Sequence, residues 1–132
     1  MKDNQEHLYF LNSLYRDCIL PQILGTDDQD ILYWAGKHVS RQYDLSDIDE
    51  LPEFFDMAEF GTLKILKQKK HSALFELSGQ TVSDRLDSGS EEFSLESGII
   101  AECIERQTQT PTEASATINP KNHTVQITAQ SD

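Results

Sequence analysis

The sequence predicts a two-layer α+β domain: one four-stranded antiparallel sheet, made of two hairpins, packed against about four helices. Three observations predict it. The hydrophobic period is helical up to about residue 60 and then switches to strict alternation. Alternating runs come in two pairs, 62–68 with 72–78 and 113–118 with 123–129, each joined by a short polar link. A further helical stretch separates the pairs, so the order is three helices, a hairpin, a helix and a hairpin.

Residues 7–24 open the pattern. Leu8, Leu11, Tyr15, Cys18 and Gln22 recur at spacings of three and four, with Pro21 bending the helix and Gly25 ending it. Thr26 and Gln29 have the spacing of a capping box, and Asp27, Asp28 and Asp30 occupy a first turn. The second helix should run to about Gln42 with Leu32, Ala35, Gly36, Val39 and Tyr43 inward. Gly36 costs about 1 kcal/mol there against alanine, so the position calls for a close helix contact. Ser46 to Glu50 reads as a turn. Pro52 starts a short third helix, with Phe54, Phe55, Ala58 and Phe60 on its apolar side.

Leu63 and Ile65 alternate on the first strand, and Ala73, Phe75 and Leu77 on the second. "TVSDRL" is read as an irregular continuing strand, followed by a loop. Residues 93–107 return to a helix, with Leu95, Ile99 and Cys103 in one row and Phe93, Ile100 and Ile104 in another. Gly98 and Ala101 supply small residues at a second helix contact. In the last hairpin Ala114, Ala116 and Ile118 pair with Val125, Ile127 and Ala129.

The 132 residues suit one domain, with about 7–129 ordered. Net charge is −12, which sets the chain against nucleic acid. Asp44 to Glu59 holds seven acids and no base. Lys64, Lys67, Lys69 and Lys70 form a basic cluster, read first as a solvated hairpin whose lysines discourage edge-to-edge aggregation and only second as a docking patch for an anionic partner. No apolar run approaches the roughly 18 residues that span a bilayer, and "MKDNQEH" is no secretory signal, so integral membrane contact is not expected and a cytoplasmic location is. Cys18 and Cys103 are both expected as buried, reduced thiols.

"ILPQILGTDDQDILYWAGKHVSRQY", "LPEFFDMAEFGTL" and "FSLESGIIAECI" closely resemble the YslB-like family, small cytoplasmic proteins of Firmicutes classed as a domain of unknown function. The resemblance covers roughly residues 8–129. It extends to a superfamily of TRAPP vesicle-tethering subunits, vinyl-reductase-type ligand-binding domains and haem–nitric-oxide-related sensors. The matching positions are Gly36, Phe60 with Gly61, and Gly98 with Ala101. The resemblance implies a TRAPP-subunit-like fold, a helix–helix or dimer contact at Gly36, and an apolar cavity between helices and sheet. Trp34, His38, Phe54, Phe55, Phe60 and Phe93 are the candidate ligand-binding residues on that basis; ordinary core packing is the competing reading of the rings. Some relatives bind zinc with cysteines and a glutamate at the last hairpin. Here Ala116 stands at the first cysteine's place, and Glu113 with His123 does not complete a tetrahedral site, so no metal or other cofactor is expected.

No nucleophile elbow, phosphate loop or dinucleotide fingerprint occurs. Two functions follow as expectations. One is a non-catalytic binding or scaffold module, working as a homodimer or with a protein partner and holding a small apolar ligand. The other is a small enzyme acting on an apolar molecule near His38 or Cys103.

Overall fold

The computed structural model describes residues 4–132; Met1 to Asp3, part of the polar N-terminal stretch, lie outside the described residues. Its helices are α1 (Asn4–Leu11), α2 (Leu20–Leu24), α3 (Asp28–Gln42), α4 (Leu51–Met57), α5 (Gln80–Asp87) and α6 (Ser94–Thr108). The strands are β1 (Thr62–Gln68), β2 (Ser72–Ser78), β3 (Thr112–Asn119) and β4 (Thr124–Ser131). A π-helical segment, Asn12–Ile19, joins α1 to α2.

The sheet is antiparallel throughout, in the order β1-β2-β4-β3. The two hairpins therefore meet along β2 and β4. Phe75 pairs with Ile127 and Leu77 with Val125, and all four side chains are fully buried. Alternation puts them on the helix-facing side, while Glu76, Gln126 and Thr128 take the other side. β1 is interrupted by a bulge between Ile65 and Lys67, which leaves Leu66 exposed. Ala116, expected on the inner face, is exposed because β3 is an edge strand that the helices only partly cover.

Helix α6 is the centre of the molecule. Every residue from Glu96 to Ile104 is buried, because α3 covers one side and the sheet the other. Gly36 and Gly98 make the α3–α6 crossing close. A Cβ on Gly36 would collide with Leu95 O and stand 2.9 Å from Ile99 N; one on Gly98 would collide with Tyr33 O and stand 3.1 Å from Lys37 N. Ala101 is fully buried on the same helix. The Ser40 hydroxyl donates to Ile99 O at 2.6 Å across this contact. The buried row of α3 is thus Leu32, Gly36 and Ser40, with Ala35 and Val39 half-buried and Tyr43 exposed.

Several expectations need correction. "TVSDRL" belongs to helix α5, whose buried positions are Thr81, Val82 and Arg85. The inward arginine hides the helical pattern. Thr26 and Gln29 form no capping box: Gly25–Asp27 is a 3-10 turn and α3 begins on Asp27 without a side-chain cap. The capping box lies at Asp47 and Glu50, inside the segment read as a plain turn. Cys18 is exposed, whereas Cys103 is buried. The cause is the π segment, whose wider turn shifts the phase of the first helical stretch. Burial, then Glu50 and Asp47, push the Cys103 thiol up to about 12. A thiol reagent should therefore titrate Cys18 alone in the native protein and both cysteines after unfolding; rapid native reaction at both would contradict this placement.

The N-terminal helices contribute no fully buried residue. Ion pairs tie them down instead. Arg16 bonds the fully buried Glu96 through its two terminal nitrogens, at 3.0 and 3.1 Å. Arg85 approaches Glu96 at 3.5 Å and Asp17 at 3.2 Å. It also donates to Glu92 O at 2.7 Å and lies over the Phe93 ring. Burial opposes the Arg16 charge, yet Glu96, helped by Asp17 and Glu92, holds its pKa above the ordinary value. The π segment lets the consecutive residues Arg16 and Asp17 both reach this cluster.

Candidate functional site

An apolar groove of about 600 Å³ lies between the end of α3 and α4. Val39 lines it from α3, Tyr43 from the helix's C-cap, Leu45 from the connection, Phe54, Met57 and Ala58 from α4 and its end, and Phe60 just beyond. The connection is held in place by α6. Arg106 donates to the carbonyls of Ser40 and Leu45 at 2.9 and 3.2 Å and pairs with Asp44 at 2.6 Å. Ile48 N donates to Gln107 Oε1 at 2.8 Å. Asp47 then caps the next turn, and Pro52 sits at the first turn of α4, fixing the angle at which that helix leaves.

Two large apolar side chains stand open in the groove: Tyr43 is 63% and Met57 69% exposed. Tyr43 packs its ring against Phe54, with centroids 5.4 Å apart. Phe55, next in sequence, points into the core and meets Phe60 edge-on at 5.5 Å. The rim is acidic. Glu50 and Glu53 line it, and Asp56 and Glu59 are exposed on and just after α4. Asp44, Asp47 and Glu50 are engaged by Arg106 and by backbone N–H groups, while Glu53, Asp56 and Glu59 face no cation among the described residues.

The structure divides the candidate ligand-binding residues. Phe54 and Phe60 line the groove. Phe55 and Phe93 are fully buried core. Trp34 is 64% exposed and stacks on the exposed His38, centroids 6.0 Å apart, away from the groove. Tyr43 and Met57 are groove residues that the sequence reading did not single out. For Met57 the available signal was a large apolar side chain off the apolar side of its helix; Tyr43 was read into the inward stripe of the second helix, and its exposure hides there.

A second, polar hollow of about 350 Å³ lies beside α3, the start of α6 and β3. Here the Tyr33 hydroxyl donates to Glu113 and accepts from Ala114 N at 2.9 Å, and Lys37 reaches Glu113 at 3.2 Å. Burial and the Glu113 bond raise the Tyr33 pKa; the hydrogen bonds from Tyr33 and Lys37 lower that of Glu113. His123, at the other end of the β3–β4 hairpin, pairs with Asp87 at 3.3 Å, so it and Glu113 do not converge. Among the described residues no three metal-ligating side chains cluster, and no helix is long and apolar enough to cross a membrane.

Solved structures define the class of fold. The phenol-responsive sensory domain of the transcription activator PoxR, with phenol, matches with a TM-score of 0.70 at 12% identity, over 95% of this chain and 74% of that one. A vinyl-4-reductase family protein from Methanocaldococcus jannaschii matches at 0.64 and 19% identity, over 98% and 88%. Subunit 3 of a trafficking protein particle complex from Naegleria fowleri, covalently bound to palmitic acid, matches at 0.50 and 13% identity, over 98% and 95%. The chain is thus an α+β domain of the TRAPP-subunit and vinyl-reductase fold. Residues 9–130 match the model of the protein of unknown function family DUF2507, and the chain belongs to that family. The uncharacterized protein YslB of Bacillus subtilis (strain 168) is 38% identical over 120 residues, 90% of this chain and 81% of that protein.

Proposed function

We propose that this chain is a non-catalytic binding module of the cytoplasm that takes apolar surface, from a small ligand or a protein partner, into the groove between α3 and α4. The carrying observation is the pair Tyr43 and Met57, two large apolar side chains left open above a floor of Phe54 and Phe60. Ligand sites are usually concave, mostly apolar and edged by a few polar groups, and this groove has that make-up. Fold relatives crystallised with phenol and with palmitic acid lend the reading support by analogy alone.

The candidate catalytic residues support a non-catalytic reading. Cys103 is packed in the core with its thiol held neutral, the opposite of an activated nucleophile. His38 stacks on Trp34 on the outer face of α3. Assembly as a homodimer is part of the proposal, and the exposed apolar side chains of Tyr9, Phe10, Tyr15 and Ile23 in the N-terminal segment favour it.

Titration with Nile red, phenol and a fatty acid, followed by amide NMR, tests the groove. At least one should saturate, with shifts centred on Tyr43, Leu45 and Phe54, and Met57→Ser should weaken it about threefold or more. Saturable binding that leaves these amides unmoved, or no binding at all, would overturn the assignment. Trp34 fluorescence is a poor reporter because the ring is already in water.

A further inference from the structure

We infer that the natural occupant of the α3–α4 groove is a positively charged amphipathic helix of a protein partner. This deepens the groove reading and rests on it. The argument is charge complementarity. The groove floor is apolar, and Tyr43 and Met57 stand above it. Its rim belongs to the sixteen-residue stretch Asp44–Glu59, which carries seven acids and no base. Three of them, Glu53, Asp56 and Glu59, are exposed without a counter-cation among the described residues.

Those free carboxylates are selective. A neutral ligand gains nothing from them. An acidic partner is repelled, and placing like charges against one another across an interface is a strong discriminator. A helix with apolar residues on one face seats that face on an apolar groove, and lysines or arginines flanking it meet the rim. Of the other four acids, Asp44 holds Arg106, Asp47 and Glu50 close the capping box, and Asp49 stands exposed in the first turn behind it. Glu53 favours the N-terminal end of the α4 dipole, but none of the three carboxylates is tied to a cation among the described residues, so the rim charge is available to a partner.

Fluorescence anisotropy with labelled synthetic peptides tests this. One peptide carries leucines at amphipathic helical spacing with lysines elsewhere. A second replaces the lysines with glutamates. A third scrambles the first, keeping its charge and losing its apolar face. The first should bind saturably, about tenfold or more tighter than either control, and should weaken as salt rises. Glu53→Lys combined with Asp56→Lys, both at exposed positions, should weaken it about fivefold or more, and Met57→Ser should weaken it too. Equal binding of the glutamate peptide would overturn the charge selection. Equal binding of the scrambled peptide would reduce the effect to ion attraction and overturn the groove as its seat. If Nile red still reports the groove while no peptide binds, the partner class falls and the groove stands. If neither binds, both fall. Self-association of the chain that Met57→Ser disperses would put a second copy in the groove and overturn the inference.

Discussion

Gly36→Ala should lower stability by about 2 kcal/mol, although alanine is the better helix former. In a solvated helix the change would gain about 1 kcal/mol. Here the new methyl would fall on Leu95 O and stand 2.9 Å from Ile99 N and 3.1 Å from Gly98 Cα. All three are main-chain atoms, so no rotamer change relieves the clash. The helices must part, and overpacking of this kind costs about 3 kcal/mol at the upper end of its usual range. The difference sets the sign. For a chain of this size it corresponds to a fall of about 8 °C in Tm. Gly36→Leu should be worse, since the whole side chain must find room.

Gly98→Ala should behave alike, because its methyl would fall on Tyr33 O from the other side of the same crossing. The pair should not be additive. Once one methyl has forced α3 and α6 apart, the second meets a widened gap, so the double variant should lose less than the sum of the singles. Denaturant midpoints of the four proteins measure this. A Gly36→Ala protein with an unchanged or higher midpoint would mean that the crossing is looser than the backbone geometry requires.

The close crossing was legible in the sequence because a glycine in an apolar helical stripe gives up helix propensity that close packing can return. The hairpins were legible from alternation: the spans 62–68 and 72–78 become β1 and β2, with the alternation intact in β2 and broken in β1 only at the bulge after Ile65. Helix α5 was not. Thr81 and Val82 have strand propensity, and the inward position that would have completed a helical row is Arg85. Nor was the phase of the first helix, since the π segment changes which residues face in without leaving a mark in composition. The groove was half legible. Phe54 and Phe60 belong to an apolar run, but whether a ring lines a groove, fills the core as Phe55 does, or stands in water as Trp34 does depends on helix angles set by Arg106 and Pro52. Period alone carries no information about those angles.

The ion cluster beneath the N-terminal segment was invisible for a further reason: charged residues are mostly solvated, so a sequence reading assigns them outward by default. It yields the largest expected effect on stability. Glu96 is fully buried and serves two arginines, Arg16 at 3.0 Å and Arg85 at 3.5 Å. Glu96→Leu should cost about 3–5 kcal/mol, because it leaves Arg16 in a poorly solvated place with its main counter-charge gone. Arg16→Met should cost less. Glu96 then keeps Arg85, and the methionine side chain can follow the path of the arginine stem. Combining the two should recover part of the Glu96→Leu loss, since the stranded cation is removed together with its partner. The same set of variants separates attachment of the N-terminal segment from global unfolding. That segment has no fully buried residue of its own, so Arg16→Met should raise amide exchange across residues 4–24 while α6 and the sheet stay protected. Equal losses for Arg16→Met and Glu96→Leu, with no added exchange in the segment, would mean that apolar contact rather than the buried pairs holds it to the domain.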